Sequence, residues 1–284
     1  MAGSLVSVRG VRPELLTPSK SRDGEFLPYK TLQPGEPAVG DGCALAVMAK
    51  APRPGKVKTR LSPPLTADQA CALNICFIRD TTENIQQVTR ISNSAGLVVY
   101  TPVGDEAAFD GLLPDKFLLL GQRGEGFGER LLAAAEDLFA YGFGAVCLID
   151  SDSPTMPHEA LSDAVTRLSR PGDRMVLGGS DDGGYYLIGI KRLHPQLFEW
   201  IDWSTERVLQ QTMDRAREIG LETELLVTWY DVDDAATLER LRAELLASAG
   251  KAAGYDARHS RAYLETLQLQ AAQGALAGTA SSAC

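Results

Sequence analysis

The segment Gly144-Ala-Val-Cys-Leu-Ile-Asp150-Ser-Asp152-Ser-Pro154 runs from five apolar residues straight into two aspartates. An apolar run this short, entered from a glycine and left through a proline turn, reads as a strand buried on both faces. Strands of that kind belong to sheets covered by helices, and ligands in such folds sit beyond the strands' carboxyl ends. Two carboxylates two residues apart at a strand end can hold one hard divalent cation against a diphosphate. A simpler reading is that one of them caps the turn before a helix at Pro157. Asp150 and Asp152 are thus candidate metal ligands, and Asp152 is also a candidate catalytic residue.

The same grammar extends outward in both directions. Residues 43–49, 96–101, 116–121, 174–179, 185–190 and 222–232 read as strands. Thr66 and Gln69 have the spacing of a capping box at the head of a long helix. Further helices are expected at 131–139, 206–219 and 235–246. Strands alternating with helices predict a single α/β domain of Rossmann-like order, its mostly parallel sheet flanked by helices. Its bounds are set at 43–247. Residues 1–42 carry five prolines and no sustained period, which predicts an extended or disordered extension. Residues 248–284 read as a tail with a short helix near 259–273 and a low-complexity end.

Other charged clusters fall at expected strand ends. Residues 50–60 hold Lys50, Arg53, Lys56, Lys58 and Arg60 with no acid, although the chain's formal charge is −9. Pro52 and Pro54 stiffen this loop and Gly55 lets its backbone turn, so it suits a di- or triphosphate cradle. It is not a Walker loop, because Lys50 stands where the first glycine is required. Residues 178–184 place Asp181 and Asp182 between two glycine pairs; a hairpin turn accounts for the glycines, less well for the acids. Asp231, Asp233 and Asp234 precede the last body helix, where Asp233 or Asp234 could be an N-cap, the alternative being a further metal ligand. Glu125 and Arg130 lie in a glycine-rich lead into a helix, where Glu129 suits the helix dipole.

Composition excludes several classes. An acidic chain with pI near 5.0 is a poor general binder of nucleic acid. No apolar run approaches a membrane span and no signal peptide opens the chain, which predicts a cytoplasmic protein. Five cysteines without a C-x-x-C pair read as reduced thiols. The three histidines show no metal spacing, and no Ser–His pairing suggests a hydrolase triad.

Taken in order, MAKAPRPGKVKTRL, RGEGFGERL, DSDSPTMP, SDDGGYYLIGIK, WSTERVL and YDVDDAATLERL resemble one bacterial family. It is the DUF2064 family, often labelled arsenosugar-biosynthesis-type glycosyltransferases, in the GT-A nucleotide-diphospho-sugar transferase superfamily. The resemblance spans roughly residues 43–247. It implies a GT-A fold, a nucleotide-activated substrate and dependence on Mg2+ or Mn2+. Lys50, Lys58 and Arg60 match the family's basic loop, for phosphates, with Gly55 and Lys56 beside them. Asp152 matches its strand-end acid, for metal or ribose. Asp182, Gly183, Gly184 and Tyr185 match its segment near the sugar or acceptor, and Asp231 and Asp233 its last acids. Glu125 and Arg130 join the nucleotide-binding candidates. Two departures stand out: Asp150 completes a D-x-D where many members have glycine, and Phe127 stands where many have an acid.

The expected activity is metal-dependent transfer of a sugar from a nucleotide-diphospho-sugar to a small-molecule acceptor, with Asp182 contacting the sugar or deprotonating the acceptor. The alternative is nucleotidyl transfer from an NTP to a phosphorylated small molecule, as in guanylyltransferases. Sugar nucleotidyltransferases usually open with a glycine-richer loop than Ala-Pro-Arg-Pro-Gly. A third reading is a nucleotide-sugar-binding protein without turnover.

Overall fold

The computed structural model describes residues 29–32, 41–246 and 254–281. Eight strands form one sheet: β1 (Tyr29–Thr31), β2 (Cys43–Lys50), β3 (Ser94–Thr101), β4 (Phe117–Gly121), β5 (Ala145–Ile149), β6 (Arg174–Gly179), β7 (Tyr185–Ile190) and β8 (Glu222–Leu225). Their order is β1-β4-β3-β2-β5-β7-β6-β8, and every pairing is parallel except those made by β7. The expected mostly parallel α/β sheet is therefore observed.

Helices cover both faces: α1 (Ala67–Thr89), α2 (Phe127–Ala140), α3 (His158–Ser169), α4 (Val208–Glu218), α5 (Ala235–Leu246) and α6 (Arg258–Ser281). The period-2 geometry of strands sorts β2 between two cores. Cys43, Leu45 and Val47 join the layer of Ile78, Ile85 and Val88 from α1 with Leu161 and Val165 from α3. Ala44 and Ala46 face the opposite layer, built with Leu131, Ala134 and Leu138 of α2. A third core lies beyond the sheet. There Leu73 and Phe77 of α1 meet Leu238, Leu241 and Leu245 of α5 and Leu264 and Leu267 of α6.

Three differences from the sequence reading have physical causes. Residues 222–232 do not form one long strand: only Glu222–Leu225 pair regularly with β6, and a lone bridge joins Ser180 to Trp229. The chain leaves the ladder there because Tyr230 and Val232 turn into the third core. Tyr29–Thr31, within the segment read as an extension, adds an edge strand to β4. The helix expected near 259–273 runs instead from Arg258 to Ser281, and its Leu264 and Leu267 are buried against α1 and α5. Of these two terminal segments, residues 1–28, 33–40, 248–253 and 282–284 lie outside the described residues.

Candidate active site

Because β2, β5 and β6 run in the same direction, their carboxyl ends open on one edge, and reversed β7 starts there. The basic loop follows β2, Asp150 follows β5, and Asp181 and Asp182 occupy the turn from β6 to β7. The backbone N–H of Val232 donates to Asp152 O at 2.9 Å, which draws Asp231 and Asp233 to the same edge. A cleft of about 870 Å3 results. Asp150, Asp152, Asp231, Asp233 and Arg60 line one end; Phe127, Tyr185 and Trp203 line another part.

At the acidic end the charges are paired unevenly. Lys58 Nζ lies 2.7 Å from Asp152 Oδ1 and 3.0 Å from Asp233 Oδ1, and donates to Val232 O at 2.8 Å. Burial alone would depress its pKa, but Asp152 and Asp233 outweigh burial and raise it. Arg60 reaches the other oxygen of Asp233. Burial pushes Asp233 upward, yet Lys58 and then Arg60 overcome it and hold the carboxyl below its usual range. Among the described residues, Asp150 makes no ion pair. Ser153 Oγ donates to it at 2.8 Å, but loss of water and the neighbouring Asp152 push its pKa well up. Asp231 accepts from Ser180 Oγ at 3.1 Å and is likewise raised, first by burial and then by Asp182 and Asp233. Of the four carboxylates, Asp152 and Asp233 hold the two cations, and Asp150 and Asp231 make no ion pair among the described residues. Carboxylate oxygens are the donors that a hard divalent ion such as Mg2+ or Mn2+ takes, but among the described residues no three of these four acids bring an oxygen within 4.8 Å of one another.

The remaining candidates separate. Asp182 is exposed on the cleft, one oxygen held at 2.8 Å by the Gly184 N–H. Asp181 turns away to Arg240, 2.5 Å distant. Asp234 is the cap of α5, accepting from Thr237 N at 2.8 Å. Lys50 and Lys56 are exposed and make no side-chain pairing among the described residues. They line a second hollow of about 270 Å3 that shares Arg60, Asp152 and Asp233 with the cleft. Gly55 sits in the turn between them at φ 71. Glu125 and Arg130 do not line the cleft. Their segment serves the start of α2, where Glu129 accepts from the N–H groups of Glu125 and Gly126 at 2.9 and 3.2 Å.

Sequence reasoning did not single out Trp203. It packs edge-on against Phe127 (centroids 5.3 Å apart) and Tyr185 (6.4 Å). A Cβ on Gly128 would lie 2.3 Å from the Trp203 Nε1, so only glycine there lets the indole close in. The Tyr185 hydroxyl is buried without a partner. No charge or spacing marks Trp203; only its place in WSTERVL, within the family resemblance, points to it. Elsewhere, Asp80, Glu83 and His259 lie close enough to suggest a metal group. Asp80 instead accepts from the N–H groups of His259 and Ser260 and from Ser260 Oγ, as the cap of α6.

Comparison with known proteins agrees with the motifs. The model of the family described as an uncharacterised protein conserved in bacteria (DUF2064) matches residues 84–205. That match takes in Asp150, Asp152, Asp182 and Trp203, while the basic loop and Asp231–Asp233 lie outside it. No curated protein matches the chain. A candidate nucleotide-diphospho-sugar transferase from Desulfovibrio desulfuricans G20 is similar in structure, with 29% identity and a TM-score of 0.66 over 79% of this chain and 97% of that one. A CMP:2-keto-3-deoxy-manno-octonic acid synthetase in complex with CTP is more distant, at 13% identity and a TM-score of 0.48 over 72% and 98% of the two chains. Rv0371c from Mycobacterium tuberculosis H37Rv stands at 15% and 0.46, over 71% and 97%. These last two are too remote to bear on this chain's activity.

Proposed function

We propose that the chain is a transferase acting on a nucleotide-diphospho-sugar, passing the sugar to a small-molecule acceptor with the help of Mg2+ or Mn2+. The observation that carries this reading is the convergence of Asp150, Asp152, Asp231 and Asp233 with Lys58 and Arg60 at one end of a cleft that is aromatic elsewhere. The similarity to the Desulfovibrio desulfuricans protein supports the same substrate class.

Asp152 and Asp233, with Asp231 and Asp150 beside them, would hold the metal ion. Bound there, it would offset the charge of the diphosphate and stabilise that group as it leaves. Lys58 and Arg60 supply further positive charge at the place where negative charge develops, in surroundings of lower dielectric than water. Among the described residues no donor reaches the second carboxylate oxygen of Asp182, which suits it to contact the sugar or to take the acceptor's proton. The faces of Phe127, Tyr185 and Trp203 suit the apolar side of a sugar ring. Nucleotidyl transfer is the second reading. Its support is Lys50 and Lys56, unpaired in the adjoining hollow, where the longer tail of a triphosphate would find them.

Thermal shift with UDP-, GDP-, dTDP- and CDP-sugars and the matching NTPs, each with and without Mn2+, separates the two. A ligand at 100 times its dissociation constant adds about 2.7 kcal/mol, a shift of a few degrees. A metal-dependent shift with one diphospho-sugar is the expected result, and a shift with an NTP alone would favour nucleotidyl transfer. With the donor identified, Asp152→Asn should lower turnover by about 100-fold or more while leaving the melting profile cooperative. Near-normal turnover in that variant would remove Asp152 from the metal site.

A further inference from the structure

The acidic end of the cleft already contains a cation belonging to the protein. The three donors of the Lys58 ammonium meet three acceptors, Asp152 Oδ1 at 2.7 Å, Asp233 Oδ1 at 3.0 Å and Val232 O at 2.8 Å. The side chain is 4% exposed and passes 5.5 Å from the centre of the Phe77 ring. To arrive there, Lys58 adopts φ 47 and ψ 38, a left-handed backbone that a side-chain-bearing residue takes only when its surroundings hold it. The carboxylates it bridges are the two to which the proposed function gives a divalent ion. An ammonium and a divalent ion held on those same oxygens would repel each other at short range, so each weakens the other's hold.

We propose that Lys58 is a built-in substitute for the metal ion. It fills the space between Asp152 and Asp233 until a diphosphate arrives, then swings onto phosphate oxygens as the metal ion enters. The inference rests on the metal-dependent reading above. It makes the site selective for the metal–diphosphate complex over the free ion, because only the phosphates offer the displaced ammonium a new partner. The way out is at hand: Lys58 also lines the hollow of Lys50 and Lys56, on whose border Asp152 and Asp233 lie.

The test uses Mn2+ alone, its free concentration read by electron paramagnetic resonance, without nucleotide. Lys58→Met and Lys58→Gln should bind Mn2+ at least about tenfold tighter than the unaltered chain. Lys58→Gln keeps a donor for Val232 O in case the methionine variant folds poorly. A measurement on the unaltered chain is independent of both: reductive methylation, read by mass spectrometry, should spare Lys58 while modifying Lys50 and Lys56, and should reach Lys58 as Mn2+ is raised. Variants that bind Mn2+ no tighter, or Lys58 methylated as readily as Lys50 without metal, would overturn the proposal. If that happens while Asp152→Asn still abolishes Mn2+ binding in the presence of UDP, CDP or GDP, the metal-dependent reading survives and only the role of Lys58 falls. If no form binds Mn2+ with any of these nucleotides beyond what the nucleotide itself captures, both readings fall together.

Discussion

Gly183 has φ 88, and a Cβ there would lie 2.2 Å from the Glu206 carbonyl oxygen. Its own carbonyl accepts from the Leu209 N–H at 2.8 Å. The glycine therefore clamps the β6–β7 turn, and with it Asp182, onto the loop before α4 that forms the cleft's rim. Gly183→Ala should cost about 1–3 kcal/mol in urea unfolding, since it adds both a left-handed strain and a backbone clash. A cost near zero would mean that the turn can relax and that Asp182 is not held there. Sequence reasoning reached this glycine through its pairing with acids without separating it from Gly184, and it set Asp233 apart from Asp234 only through the family resemblance. The distinction depends on tertiary partners: Thr237 takes Asp234 as a cap, while Lys58, 175 residues from Asp233, takes the other acid. The ion pair was invisible in the sequence for the same reason, because nothing in the spacing brings a loop after β2 to an acid before α5.

The elements whose signals are local were legible. The Thr66–Gln69 capping box is formed at the head of α1, with bonds of 3.2 and 2.9 Å in the two directions. α6 was harder, because its anchor is remote: Glu83 of α1 accepts from Arg258 at 2.6 Å and pairs with His259 at 2.9 Å. Burial tends to raise the Glu83 pKa, but the bonds from Arg258 and His259 prevail and hold it below the usual carboxylate range. A carboxyl whose folded pKa is depressed stabilises the fold above its unfolded value, and that contribution fades as pH falls through the folded value. The unaltered chain should therefore melt above Glu83→Gln near neutral pH. The gap should close between roughly pH 5 and pH 3, around and below the unfolded pKa of a glutamate. Asp80, whose burial raises its pKa, contributes with the opposite sign in both chains. A gap that widened on acidification would show that Glu83 does not anchor α6 through its charge.

Two of the three cores follow from the alternation of strands and helices, and both were implied by the sequence. The third was not, since it gathers Leu61, Phe77, Val232, Leu241 and Leu264 from segments that share no period. Yet this core carries the acidic end of the cleft. Leu61 is fully buried one residue after Arg60, Phe77 lies beneath Lys58, and Val232 adjoins both Asp231 and Asp233. Leu264 lies in the same core but on α6, in sequence remote from every cleft residue. Leu61→Ala and Leu264→Ala each remove a buried leucine, and each should cost about 2–5 kcal/mol in urea unfolding. Their effects on binding should differ. Below the unfolding transition, Leu61→Ala should weaken whichever metal–nucleotide complex the thermal-shift panel identifies, because the cavity it leaves frees the turn that aims Lys58 and Arg60. Leu264→Ala should leave that affinity within about twofold, because Leu264 sits on α6, which packs on α1 and α5, and the loop keeps its own buried leucine. Equal losses in both variants would mean that the core acts as one rigid block. No loss in either would mean that the basic loop is positioned by its ion pairs with Asp152 and Asp233, with packing adding stability but no aim.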